Sequence, residues 1–442
     1  MLTLFDSGRH VAESPRTARL ARLVSFTGLL VCCAPLFVLT LRGWANAVLF
    51  MGALLAALLL TSRELPAICL PARDRRWLVA LLVAFVAPII SVAIAAAIRR
   101  DPYWPQFDAP SRFLLAIPIF LFVLRSGWPV WRVMQWVLPL ALLAALAYLQ
   151  TIGHDPKWLG DRVTTFVVDP LVFGYFSLAF GLMGLVSISP ADWRRGGRWS
   201  VLLRVGTLAL GVYLSVLSLS RTGWAAVPLI LGTWAQFHWG RRHRLASAAV
   251  LAAVLLLPVA TYFLVPAVSV RVDAAIKDVV EYPWHGVLRH ETSLGYRITF
   301  LRMAADVIAA HPWAGIGDFA HEPPPPASAF SYASPDAVAY GFRSAFHNQV
   351  VSNTVRSGIG GLLATLMLLL VPLLICARGL WRGAPEARKD AMMGLAYCTC
   401  VAVSSISTEV VDLKFAASFY AVMTAVFCGA VLGRRGPQED IA

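Results

Sequence analysis

Residues 346–361 read FHNQVVSNTVRSGIGG and residues 362–374 read LLATLMLLLVPLL. A polar run carrying His347, Asn348, Gln349, Asn353 and Arg356 therefore opens directly into a segment apolar enough to enter a bilayer. His347 is the only side chain in the run that both takes and gives a proton near neutral pH. Gly358, Gly360 and Gly361 let backbone or substrate approach closely where the helix enters the membrane. On these residues alone, a polar helix end lying in the interface accounts for the run equally well.

Working outward, the whole chain has the same character. Of 442 residues 58% are hydrophobic and 14% charged, and the mean hydropathy is +0.69. That is the balance of a polytopic membrane protein. Apolar runs lie near 23–41, 44–61, 77–98, 112–126, 130–149, 165–188, 201–219, 224–239, 245–265, 359–377, 391–407 and 415–432. Hydrocarbon of ~30 Å needs about 20 such residues per helix. The expectation is an all-α integral membrane protein of about twelve transmembrane helices with one large outer loop containing short helices. Its organisation would be nine spans over 1–265, the loop over 266–358, and three spans with a tail over 359–442.

The formal net charge of +14 is spread in small groups between apolar runs, the pattern that sets topology, and a nucleic-acid partner is not expected. Twenty-one basic residues fall on one side, in the groups Arg9 to Arg22, Arg63 to Arg76, Arg125, Arg194 to Arg198, Arg241 to Arg244, Arg378 to Lys389, and Arg434 with Arg435. Eight fall on the short connections of the other side: Arg42, Arg99, Arg100, Arg112, Lys157, Arg162, Arg221 and Lys414. The excess places both termini in the cytoplasm. The seven cysteines, Cys69 among them, lie in or beside the spans, so neither a disulfide framework nor a zinc site is implied.

The segment from Pro266 to about Arg356 is too long to be a mere connection. Ile298, Leu301, Ala305 and Ile308 have helical spacing over Tyr296–Ala310, His311-Pro312 should end that helix, Gly315-Ile316-Gly317 should turn tightly, and Pro323–Pro326 should be stiff and extended. The outer side also collects arginines with no topological purpose. Arg221 sits in the very short turn Ser218-Leu219-Ser220-Arg221-Thr222-Gly223-Trp224, Arg162 stands before Asp169-Pro170, Arg112 heads the fourth span, and Arg297 lies in the loop helix. A guanidinium at such a place is costly unless it meets an anion. Snorkelling to lipid headgroups is the competing account for each, and for Arg112 and Arg356 it is the favoured one.

His347-Asn348 followed by Gly358-Ile359-Gly360-Gly361 resembles the signature of the bacterial O-antigen ligase and polymerase family of polytopic membrane glycosyltransferases. The turn Ser218 to Trp224, and Arg297 followed by His311-Pro312-Trp313-Ala314-Gly315-Ile316-Gly317, are similar to that family in the same order. Thr165-Phe166 with Asp169-Pro170 matches more loosely, since the family often has asparagine before that proline. The resemblance covers roughly residues 160–377 and implies a GT-C-like membrane fold with a periplasmic active site in the bacterial inner membrane. It implies a glycan donor on undecaprenyl pyrophosphate and, for a ligase, a sugar hydroxyl of lipid A-core as acceptor. It further implies that His347 is the catalytic base and that Arg221 and Arg297 hold the pyrophosphate. Arg162, Arg112, Asn348 and Arg356 are the further substrate-binding candidates.

The chemistry agrees with those roles. A sugar hydroxyl must lose its proton to attack, and an imidazole is a suitable acceptor. A lipid pyrophosphate leaves readily if its charge is stabilised, which two guanidinium forks can do. Displacement with base and leaving group on opposite faces inverts the anomeric carbon. Asp318, Glu322 and Asp336 are scattered without metal-ligand spacing, so no metal and no cofactor is expected. His311 reads as a helix end, and His285, His290 and His321 as loop residues; Trp284, Tyr296, Trp313, Phe319, Phe330, Tyr332 and Tyr340 suit sugar stacking or a membrane interface equally. A polymerase or a protein O-oligosaccharyltransferase of the same family is the alternative within glycosyl transfer. A transporter for an anionic lipid or solute is the alternative outside it, disfavoured by the lack of an internal repeat.

Overall fold

The computed structural model describes residues 15–62, 65–66, 70–101, 103–158, 162–188, 197–239, scattered positions between 245 and 264, 266–284, 292–319, 321, 325–343 and 345–433. Much of the ninth expected span, Cys69, His285, His290, Glu322, Pro323 and Pro324, and the basic residues Arg9, Arg63, Arg194, Arg195, Arg241, Arg242, Arg244, Arg434 and Arg435 lie outside the described residues.

Among the described residues all regular structure is helical. The helices are α1 (Pro15–Cys32), α2 (Trp44–Leu60), α3 (Ala72–Arg99), α4 (Asp108–Ser126), α5 (Val130–Thr151), α6 (Pro170–Val186), α7 (Arg198–Leu217) and α8 (Ala226–Trp239). They continue as α9 (Pro266–Val280), α10 (Ser293–Ala310), α11 (Pro335–Arg343), α12 (Gln349–Arg382), α13 (Pro385–Ser404) and α14 (Lys414–Gly433). Six of them, α3, α4 with the turn before it, α5, α7, α12 and α14, are long and apolar enough to cross a membrane, and α2 and α6 are apolar helices of 17 residues. The chain is thus a multi-pass helical membrane protein.

The bundle is organised around α14, which is buried on all sides against α2, α4, α12 and α13. Its sequence explains this: without a hydrophobic drive between helices in lipid, contact requires small residues that let backbones approach. A Cβ at Gly429 would lie 2.9 Å from the Phe120 carbonyl oxygen, and one at Gly433 would lie 2.4 Å from that of Leu124. The pair α6 and α7 closes in the same way, since a Cβ at Gly211 would lie 2.4 Å from the Ser177 carbonyl oxygen.

Two expected spans differ from the observed helices for identifiable reasons. The first ends at Cys32, and residues 33–41 run in successive tight turns; Pro35 removes a donor and crowds the preceding turn. The span expected at 359–377 belongs to a helix that begins ten residues earlier, with Asn348 as its cap. The long connection is not a loose strap. Phe300, Met303, Val307, Phe330, Val338, Phe342, Phe346 and Val355 form a second apolar core, separate from that of the bundle. This core seats α10 and α11 on the first turns of α12.

Candidate active site at the mouth of helix 12

The site is built on a break in α12. Ser357 (φ −134°, ψ 17°) and Gly358 (φ 61°, ψ −149°) interrupt its helical geometry. Into this break fits the segment that follows α10. Ile316 N–H donates to the Val355 carbonyl (2.9 Å), Gly317 N–H to that of Arg356 (3.1 Å), and Ile359 N–H to that of Pro312 (2.8 Å). The two chains cross so closely that a Cβ at Gly358 would lie 2.4 Å from the Trp313 carbonyl, and one at Gly315 2.2 Å from that of Val355. Both glycines have positive φ, so any other residue would be strained and obstructed at once. Arg99 clamps the crossing by donating to the carbonyls of Ala314 and Arg356. The expected end of α10 at His311-Pro312 and the turn at Gly315-Ile316-Gly317 are both observed.

Immediately before α12 the backbone makes a left-handed turn. Ala345, Phe346 and His347 have φ of 51°, 54° and 48°. For residues with a Cβ this conformation costs roughly 1–2 kcal/mol each. The offset is visible in the packing: the buried Phe346 ring stands edge-on to Phe342 (5.1 Å) and Phe319 (5.5 Å), and Ser352 Oγ donates to the Ala345 carbonyl. The turn projects the half-buried His347 ring over Phe300 and brings Nε2 to 3.2 Å from Tyr340 Oη. Burial, and secondly the charge of Arg297, pull the His347 pKa down to about 4, so the ring is neutral at pH 7.

Arg297, on α10, is the charge that His347 feels, and burial followed by Arg162 lowers its own pKa. It stays charged regardless, because an arginine loses its proton only far above pH 7. Arg297 therefore lies within electrostatic reach of both His347 and Arg162. Arg162 is held beside the end of α7, where Val163 N–H donates to the Leu217 carbonyl (3.1 Å). Arg221 follows in the turn after α7, which is shaped by positive φ at Leu219 and Gly223. That turn meets the connection after α13: Ser407 Oγ donates to Thr222 Oγ1 (3.4 Å). The same connection receives the start of α12, with Gln349 N–H donating to the Ser405 carbonyl (2.8 Å) and Asn348 Nδ2 to that of Ile406 (3.2 Å). Residues 404–408 thus link the turn of Arg221 to His347. Among the described residues no carboxylate pairs with Arg162, Arg221 or Arg297.

Two of the other candidates, Arg112 and Arg356, are occupied differently from expectation. Arg112, expected to face substrate or headgroups, is buried within the bundle. It pairs with Asp108 (2.8 Å) and donates to Asn46 Oδ1 and Ser418 Oγ (both 3.0 Å), cross-linking α2, α4 and α14. Arg356, for which a headgroup was favoured, is paired with Glu409 (3.0 Å) and Asp412 and lies over the Phe319 ring. In both cases a nearby acid takes the place of the lipid anion. Asn348 caps α12, its Oδ1 accepting from Val351 N–H (3.1 Å).

Sequence reading missed Gln349, whose Oε1 accepts from Val410 and Val411 N–H (2.7 and 2.8 Å) while Nε2 donates to Asp412 (2.6 Å). It also missed the Tyr340 contact, which only the proximity of two adjoining helix ends creates. Burial pushes the Glu409 pKa up to about 8, so this carboxyl holds its proton at neutral pH. Beneath the Arg356 cluster, a cavity of about 340 Å³ opens between α3, α4 and α12, with Asn353, Asp318 and Gln106 at its polar end and Val92, Phe113 and Leu368 at its apolar end.

Residues 206–366 match the family model described as O-antigen ligase. The matched region spans the turn of Arg221, α10 and its following segment, the turn of His347 and the break in α12. A comparison with curated proteins found no match.

Proposed function

We propose, on the support that the match over residues 206–366 gives to the O-antigen ligase and polymerase family, that the chain is an O-antigen ligase acting at the periplasmic face of the bacterial inner membrane. It takes a glycan from undecaprenyl pyrophosphate and joins it to a sugar hydroxyl of lipid A-core. The observation that carries the reading is a neutral imidazole next to arginines that no described carboxylate neutralises.

His347 accepts the proton of the acceptor hydroxyl. With Tyr340 against Nε2, Nδ1 is the nitrogen left for that proton. The acceptor oxygen forms its bond to the anomeric carbon as the bond from that carbon to the pyrophosphate oxygen breaks, inverting the configuration. Undecaprenyl pyrophosphate leaves as an anion beside Arg221 and Arg297, with Arg162 adding to the positive field. No general acid is needed for so good a leaving group, and His347 returns its proton to water. Bound pyrophosphate also acts on the base. Its negative charge opposes the field of Arg297, the second cause of the low His347 pKa, so donor binding strengthens the base where the hydroxyl arrives.

Purified protein mixed with an undecaprenyl-pyrophosphate glycan and rough lipopolysaccharide should give a ladder of joined product. A product formed only among free repeat units would replace the ligase reading with a polymerase. Activity retained in excess chelator is the expected result for a displacement that runs on arginines alone.

A further inference from the structure

At the end of the bundle away from the candidate site, a second cavity of about 440 Å³ is lined by Arg73, Arg76, Trp77 and Ala80 of α3 and by Arg378 and Arg382 of α12. The two helices pack together along the bundle, and their other ends are the Arg99 and Arg356 region described above. Side chains of four arginines thus line one cavity from segments about 300 residues apart in sequence. Among the described residues one acid, Asp74, enters this group, paired with Arg378. The Arg378 Nε is buried with no hydrogen-bond partner among the described residues.

Arginines that only set topology need no common cavity, and each can face water alone. Here Trp77, Ala80 and the arginine stems make the cavity wall largely apolar, and Arg73, Arg76 and Arg382 are exposed beside it. A phosphate ester suits the forks, since each guanidinium offers parallel donors to two phosphate oxygens. The volume is that of a small-ligand pocket. Its place at the ends of two membrane helices, beside an interfacial tryptophan, selects the source of the phosphate: a lipid whose acyl chains continue along α3 and α12. We propose that this cavity is a binding site for an anionic phospholipid headgroup, one that fastens the α3–α12 pair at the end remote from chemistry. By the distribution of basic residues that end faces the cytoplasm. The proposal does not rest on the assignment of transfer activity.

The test uses the full chain in dodecyl maltoside. Thermal unfolding midpoints are measured with phosphatidylglycerol, phosphatidylcholine or inorganic phosphate added at equal phosphorus, and bound lipid is counted by native mass spectrometry. Phosphatidylglycerol should raise the midpoint and be retained on the protein, whereas phosphatidylcholine and free phosphate should do neither. Arg76→Gln with Arg382→Gln should weaken phosphatidylglycerol binding by roughly tenfold to thirtyfold. Arg19→Gln with Arg22→Gln, which removes the same charge from exposed positions on α1, should leave binding intact. An equal loss in the α1 pair, an unchanged lipid shift in the cavity pair, or an equal response to free phosphate would each overturn the proposal. Arg76→Lys with Arg382→Lys should bind with intermediate strength; if it abolished binding and also lowered the midpoint without lipid, the cavity would be a packing feature of the helix pair.

Discussion

Arg356 and Arg297 sit toward the same end of the bundle, yet their surroundings are opposite. Arg356 is half-buried with Glu409 and Asp412 and lies against Phe319; Arg112, deeper in the bundle, has Asp108 in the same role. Arg297 faces the charge of Arg162 and the ring of His347, and among the described residues it has no acid. An arginine already neutralised by a carboxylate fixes helices to one another. One held beside another cation stores unfavourable charge that only an incoming anion relieves. The difference supports, without reference to motif, the proposed division into structural and substrate-directed arginines.

The largest effect should come from the group between them. His347→Ala should reduce transfer by at least 10²–10⁴-fold, the usual contribution of a general base, while the protein stays folded in the membrane; turnover near the wild-type rate would remove the base assignment. Arg297→Lys and Arg221→Lys keep the charge and lose the fork, so each should lower transfer by roughly tenfold or more with little change in unfolding midpoint. Arg356→Gln should show the converse. Leaving the half-buried Asp412 with its Gln349 hydrogen bond but no counter-charge costs about 3 kcal/mol at most, read as a fall in midpoint and in yield. If Arg297 and Arg356 variants lost stability and activity in the same proportion, the contrast between the two classes would be void.

Much of this arrangement was legible in the sequence, for a physical reason. Apolar runs such as 44–61 and 130–149 became α2 and α5 with little shift, because hydrocarbon demands continuous apolar helix. The motif glycines were readable as close approaches, and the crossing of 312–317 with 355–359 is that approach. The left-handed turn was not readable, since Ala345-Phe346-His347 contains no glycine and is held there by rings more than 25 residues away. Nor were the acids of Arg112 and Arg356 counted. Asp108 lay one turn outside the expected span, and Glu409 and Asp412 reach Arg356 only because α12 and α13 fold back on each other. A polar stretch before an apolar run was read as loop, although residues 349–356 are helical and make up the mouth of the site.

The pH dependence sharpens the comparison with a smaller effect. If His347 works as a base, its neutral form is required, and with a pKa of about 4 the rate per donor and acceptor should be flat from about pH 5 upward and fall below it. Arg297→Gln removes one of the two causes of that low value, so its acid limb should move upward in pH while the overall rate drops. A limb at the ordinary histidine position in the wild-type protein, unmoved by Arg297→Gln, would mean that the two side chains do not share a site.

The smallest effect belongs to Glu409. Because burial holds its proton on to about pH 8, Arg356 is balanced at neutral pH by Asp412, and Glu409 serves as a neutral neighbour. Glu409→Gln should therefore change the unfolding midpoint little near pH 4, where the unfolded glutamate also holds its proton, by the equivalent of roughly 0.5 kcal/mol, whereas Asp412→Asn should be far more damaging at neutral pH. The sign with pH follows from linkage. A carboxyl whose pKa is raised on folding stabilises the native state below its unfolded pKa, and that contribution is lost as pH rises toward 8. The glutamine variant has no such loss. Its midpoint should gain on the wild type as pH goes from 5 to 8, and a constant difference across that range would show that Glu409 is ionised in the folded protein and shares the neutralisation of Arg356 with Asp412.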